Sequence, residues 1–551
     1  MPSEVCCKEK SDTLKKQSLH HVRSKIAPYI LFPAMIGVLT GVLIFLFKIA
    51  SSWVMKQSAN VYTFVRENPK YFPLLVLGIA ALGACSALIL IMAKECRGGG
   101  IPTAIASIRG LIPLKWVQGI FVLFGSALLT YFAGVPLGNE GPSVQMGTAV
   151  GKGSAELLGN KKRAWERYTM TGGACSGFAI ATGAPLTGII FALEEAHRRF
   201  SPAIFIVVST SVLTGTVTQG ILSAFFHVNT TFFGHVVAVA LPLKDLWAAA
   251  LIGVVCGVCA LLFTKAYRWV RQFGEFCGKK IPFFAKIVLI FAMAAVLGFA
   301  CEDFVGSGHS LIEKILEGHT IWYIILLAFI VRAVLMISAN VEGVCGGLFV
   351  PTLAFGAMIA ALVAEALVAL GLVGAEYYPI LVVVGMASFM ASSSRTPLTA
   401  IAFTAEALCL ASNILPAVIG VAIAYVIAEM SGKLSFTDTV IEARAEAAHK
   451  EQLPIIIDSH MTVQPDAFAI GMELRDILWP PTCVVLSIDK SHTVPEKHTS
   501  EIQEGDVLHL HYQTYAPKHT MQILTHILGD QTADKKARIH FGSEEHIVPL
   551  E

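Results

Sequence analysis

The chain has 551 residues, 55% of them hydrophobic and 15% charged, where a soluble domain carries roughly a quarter charged residues. Its net charge of +2, from 41 Lys and Arg against 39 Asp and Glu, excludes the strongly basic surface that a nucleic-acid polymer requires. The composition fits a lipid bilayer as solvent.

Residues 1–28 are polar and basic, without a short apolar core and small-residue cleavage site, and read as an uncleaved cytosolic segment. From about 29 to 447 apolar stretches recur. Residues 71–93, 200–243 and 343–364 each reach or exceed the ~20 apolar residues that cross a hydrocarbon core. The twelve cysteines, scattered mostly through apolar runs, lack metal-ligand spacing and read as small buried hydrophobes. Composition changes after Ser431: a charged stretch at 442–451 precedes β-like runs at 454–457, 483–488 and 507–512, with a helical candidate at 472–479. Residues 448–551 are therefore expected to form a separate small α/β domain. No phosphate-binding loop, metal cluster or nucleophile and base pairing is present to suggest an enzyme, and no cofactor is expected.

The apolar part contains an internal repeat. Gly138, Pro142, Ser143, Val144 and Gly147 coincide with Gly347, Pro351, Thr352, Leu353 and Gly356, displaced by 209 residues. Gly173, Pro185-Leu-Thr-Gly-Ile189, Phe191 and Glu194 coincide with Gly385, Pro397-Leu-Thr-Ala-Ile401, Phe403 and Glu406, displaced by 212. Duplicated halves, about 29–240 and 241–447, with Gly and Pro breaks at equivalent places suit a transporter whose substrate binds where the halves meet.

Three of these breaks, Gly98-Gly-Gly-Ile-Pro102, Gly138-Asn-Glu-Gly-Pro142 and Gly347-Leu-Phe-Val-Pro351, read as loops that open helices, because Gly permits unusual backbone angles and Pro suits a first turn. Helix starts offer unpaired N–H groups and the positive dipole end, so their convergence predicts an anion site without a full positive charge. Glu140 lies in one such loop at membrane depth. Ionised, it occupies the site itself; protonated, it swings away and admits an anion, which makes proton and anion competitors for one place. Glu194 and Glu195 end an uncharged run and precede His197-Arg-Arg199, a basic cluster that marks a cytosolic end. Either glutamate of the pair is a candidate proton relay to Glu140, or a solvated helix end.

The order and separation of these segments resemble the CLC family, whose patterns are GSGIP, GREGP and GxFxP, over roughly residues 30–447. The resemblance implies an all-α polytopic membrane protein of two inverted halves, a homodimer with one anion pathway per subunit. It identifies Glu140 as the gating glutamate and Glu195 as the internal proton-transfer glutamate, and the anion site as Gly99, Gly100, Ile101, Asn139, Leu348, Phe349 and Phe436. Possession of both glutamates implies an antiporter that exchanges chloride or a related small anion for protons. Three positions depart from the family: Gly99 stands for serine, Asn139 for arginine and Phe436 for tyrosine. Losing two hydroxyl donors costs about 1 kcal/mol each and leaves a fluoride/proton exporter or a passive CLC-type channel as alternatives. A cation transporter is disfavoured, because helix starts rather than acidic rings line the site. The tail, near 467–513, resembles TrkA C-terminal (RCK_C) regulatory domains through Gly471-Met-Glu-Leu-Arg-Asp-Ile-Leu-Trp-Pro-Pro and Ile502-Gln-Glu-Gly-Asp-Val-Leu. That resemblance implies pairing across a dimer and a small ligand such as a cyclic dinucleotide, or pairing alone. Together the two resemblances imply a bacterial inner membrane protein with cytosolic N and C termini.

Overall fold

The computed structural model describes residues 29–549 except 158–164, 229–232, 234–238, 279–280, 409–412, 450–454, 466, 481, 491–500, 516, 531–535 and 542–543. The first half comprises α1 (Phe32–Glu67), α2 (Phe72–Met92), α3 (Ile101–Ile108), α4 (Trp116–Phe132), α5 (Glu140–Leu157), α6 (Glu166–Thr182), α7 (Pro185–Phe191) and α8 (Pro202–Phe226). The second comprises α9 (Leu246–Gly278), α10 (Phe283–Ala300), α11 (His309–Leu316), α12 (Trp322–Val341), α13 (Phe349–Ala369), α14 (Tyr378–Ser394), α15 (Pro397–Ala407), α16 (Leu415–Met430) and α17 (Phe436–Ala448). Among the described residues eight helices are long and apolar enough to cross a membrane.

The packing follows the repeat. Helix α1 packs on α8 as α9 packs on α16, and α5 on α6 as α13 on α14. Each contact closes on paired glycines: a Cβ on Gly147 would lie 2.1 Å from the Gly173 carbonyl oxygen, and one on Gly356 2.4 Å from that of Gly385. These are the repeat glycines, and their missing side chains let the backbones touch. Glu194 of the first half accepts from the backbone N–H groups of Leu398 and Thr399 at 2.8 and 2.7 Å, capping α15. Glu406 of the second half caps α7 in the same way, through Leu186 and Thr187 at 2.8 and 2.9 Å.

The halves are inverted. Helix α9 ends near Arg271, which pairs with Glu446 beside the tail's Tyr515. Helix α1 ends at Arg66, which pairs with Glu302 at 3.2 Å, beyond the far end of α10. The start of α10 is on the tail side, where Lys286 pairs with Glu342 at 2.7 Å; its 18 residues then span about 27 Å. Equivalent helices thus run in opposite directions.

The span expected at 343–364 is instead a loop followed by most of α13, because Gly343 at φ +82° and the segment to Leu348 leave the helical path. Among the described residues of the stretch 200–243, one long helix is present, ending at Phe226. The tail has its own core around Ile457, Leu508, Leu510 and Leu524. Its described residues form an antiparallel sheet ordered β2-β3-β1-β4-β5, with β1 (Ile455–Thr462), β2 (Val484–Asp489), β3 (Val507–Thr514), β4 (Lys536–Phe541) and β5 (Glu544–Pro549), and the α-helix α18 (Pro517–Leu528). The helix expected at 472–479 is reduced to one 3-10 turn, Leu474–Asp476. Its following carbonyls are used elsewhere: Arg199 donates to Ile477 at 2.7 Å and Arg167 to Leu478 at 2.8 Å, fastening the tail to the membrane part. Ser201 adds a bond to Asp476 at 2.7 Å.

Replacing Glu406 with Ala uncaps α7 and costs about 1–3 kcal/mol. The expected result is a thermal unfolding midpoint several degrees lower in detergent, with Glu194→Ala behaving alike.

Candidate functional site

The three broken segments meet at one point. Gly138 and Gly347, equivalent residues of the two halves, exchange backbone hydrogen bonds of 2.8 and 2.6 Å, as a local two-fold axis between them requires. Gly346 donates to the Gly99 oxygen at 3.1 Å and Gly98 to the Gly343 oxygen at 2.7 Å. At the centre, a Cβ on Gly141 would lie 2.5 Å from the Gly347 Cα and 2.8 Å from the Gly100 Cα. These bonds satisfy loop backbone that lipid could not, while the first-turn amides of α3, α5 and α13 have no partner within their helices.

Below this crossing lies a cavity of ≈ 20 Å³, room for a single small ion or water. It brings together Ile101, Leu348, Phe349, Phe436 and the internal glutamate Glu195. Phe436 is buried and packs edge-on against Phe263 and Tyr267, with ring centroids 5.1 and 5.4 Å away. The hydroxyls at this cavity are those of Thr352, Ser394 and Thr437, the last donating to Ser394 at 3.2 Å. Sequence reasoning missed them, although Ser392-Ser-Ser394 ends an otherwise apolar helix.

The remaining expected residues have more specific surroundings. Leu123 fills the space a side chain at Gly99 would take, its Cδ2 being 2.4 Å from a Cβ built there. The Gly100 amide is already engaged by Gln145 Oε1 at 3.0 Å, so it is not among the open donors. Asn139 is buried and points to Ser51 Oγ at 3.5 Å. Lys48, one turn before Ser51, donates to the Ala181 oxygen at 3.2 Å.

Glu140 opens α5 and is fully buried, and neither carboxylate oxygen has a hydrogen-bond partner among the described residues. Its Oε2 folds back over Gly138, 2.3 Å from where a Cβ would sit, while Oε1 lies 3.6 Å from His309 Nε2. Glu195 is in a π-type turn, Ala192–Ala196. Arg109 holds that turn through the oxygens of Glu195 and Ala196, at 3.0 and 3.2 Å. Its neighbour Glu194 is committed to capping α15, which separates the roles of the adjacent glutamates.

Crossed half-helices, inverted halves and a buried carboxylate at a helix start define a membrane protein with a central ion pathway. Residues 81–429 match the family described as voltage gated chloride channel, and the chain belongs to it. The chain is 28% identical to the H(+)/Cl(-) exchange transporter ClcA of Salmonella arizonae over 443 residues, covering 77% of this chain and 91% of that protein. It is 27% identical to ClcA of Yersinia pseudotuberculosis over 449 residues, covering 79% and 91%. Among solved structures it resembles a slow cyanobacterial Cl-/H+ antiporter at TM-score 0.69 and 22% identity, covering 76% of this chain and 98% of that one. It also resembles a CLC-type fluoride/proton antiporter at TM-score 0.59 and 21% identity, covering 74% and 96%.

Two outcomes test the geometry. Gly141→Ala forces three backbones apart and is expected to abolish ion flux in liposomes and lower the unfolding temperature. Phe436→Tyr adds a hydroxyl at the cavity and is expected to tighten chloride binding about five-fold by calorimetry, the equivalent of ~1 kcal/mol.

Proposed function

We propose that the protein is a proton-coupled antiporter that exchanges chloride, or a related small anion, for protons across the membrane. The carrying observation is the cavity that Glu195 shares with the starts of α3 and α13, just below the crossing that positions Glu140. Anion and proton thus use one junction of the two halves. The open amides stabilise an anion by partial charge, and the carboxylate of Glu140 competes with it for that place. On protonation the carboxyl loses its affinity for the amides and gives way to the anion; Glu195 passes the proton between the site and the tail side. Relatives named as H(+)/Cl(-) exchangers support the same reading.

The tail side is proposed as cytosolic, the membrane as the bacterial inner membrane, and the assembly as a homodimer with one pathway per subunit. Residues 29–447 form the transmembrane unit and 448–551 a regulatory domain of the TrkA C-terminal type, with a cyclic dinucleotide as its proposed small ligand; these last points rest on resemblance. A fluoride/proton exporter is the second reading, favoured by Gly99 and Asn139 at two motifs.

The test is reconstitution in liposomes, with chloride and fluoride electrodes and a pH electrode read together. Uphill proton movement driven by an anion gradient is expected. Glu140→Gln should retain anion flux without protons, and Glu195→Gln should lose most proton flux. Anion flux in the native chain without protons would sink the antiporter reading and leave a channel; preference for fluoride would select the second reading.

A further inference from the structure

Glu140 has no solvent exposure, so a proton from the face opposite the tail needs a carrier to reach it. His309 lies against it: Nε2 is 3.6 Å from Glu140 Oε1, and the His309 side chain is 25% exposed where Glu140 is 0% exposed. An imidazole that touches both water and a buried carboxylate has the geometry of a proton shuttle.

The surrounding chain holds the ring in place. His309 opens α11, and Gly308 before it adopts φ +111°. A Cβ on Gly308 would lie 2.9 Å from the Ala354 Cβ and 3.1 Å from Arg332 Nη2, so glycine lets this turn press onto α13. Arg332, itself buried, donates to the oxygens of Asp303, Val305 and Gly306 at 3.1, 2.7 and 2.7 Å and fixes the preceding loop. The Phe233 ring covers the imidazole, with centroids 5.1 Å apart. Among the described residues, charged groups around His309 include Glu140 from α5, Arg332 from α12, and Glu313 and Lys314 on its own helix, Lys314 being paired with Glu302 and Asp303. Helices α13 and α14, on which α11 packs, carry one charged residue, Glu365, well beyond Ala354.

We propose that His309 is the group through which Glu140 exchanges protons with solution on the face opposite the tail. This deepens, and rests on, the antiporter reading above. In the inward direction the imidazolium Nε2–H bond breaks and its proton passes to Glu140 Oε1, leaving a neutral imidazole that keeps its Nδ1 proton and a neutral carboxylic acid. The uncharged Glu140 leaves the anion site, and water reprotonates the exposed imidazole. The outward direction is the reverse. Lys48 of α1 is tied to the carbonyl oxygens of Ile180 and Ala181 in α6.

The experiment compares the native chain, His309→Gln, Glu140→Gln and the double variant in liposomes, recording chloride and proton flux from pH 5 to 8. Coupled turnover of His309→Gln is expected to fall about ten-fold or more, with a pH profile that differs from that of the native chain. The double variant should pass chloride as fast as Glu140→Gln, which shows the anion path undamaged. A native chain that couples protons, beside a His309→Gln chain with the same turnover and pH profile, overturns the role of His309 alone. Loss of chloride flux in the double variant makes His309 structural and also overturns it. A native chain that moves no protons overturns the antiporter reading and this role together.

Discussion

The structure depends on a requirement that lipid imposes: backbone that leaves the helix at membrane depth must find hydrogen bonds inside the protein. Here three broken segments satisfy one another. The Gly138 and Gly347 exchange, with the Gly98 to Gly343 and Gly346 to Gly99 bonds, consumes loop amides that would otherwise be orphaned. What remains open is the first turn of each following helix, and that remainder is the anion site we propose. Function is therefore the unsatisfied residue of a structural solution, and the absence of a Cβ at Gly141 keeps the three strands close enough for it.

Much of this was legible in the sequence because close approach leaves a mark. Glycines placed alike in two halves, each followed by proline, announce both the duplication and the helix starts, and Gly147 with Gly173 packs just as Gly356 with Gly385 does. The residues that complete the site left no such mark. Gln145 and His309 are single residues in different helices, and only the fold brings them to the crossing. Glu194 could not be told from Glu195 by spacing; a one-residue step around the helix end turns one towards the α15 amides and the other towards the cavity. The helix expected at 472–479 failed for a related reason, since its carbonyls bind arginines of the membrane part.

The charges buried near the centre share a device. Lys48 binds carbonyls at the end of α6, Arg109 those of the Glu195 turn, and Arg332 those of the loop before α11. Each cation is met by helix-end or loop oxygens, which carry partial negative charge.

The docking of the tail has a different consequence. Arg199 and Arg167 recognise the main-chain oxygens of Ile477 and Leu478, and Arg199 lies only a short stretch of chain after Glu195. A contact made to main-chain oxygens is indifferent to which side chains occupy those positions; it reads only the path of the chain. The tail's sequence there is free to drift while its grip persists, but any rearrangement that redirects that path is felt at once beside Glu195.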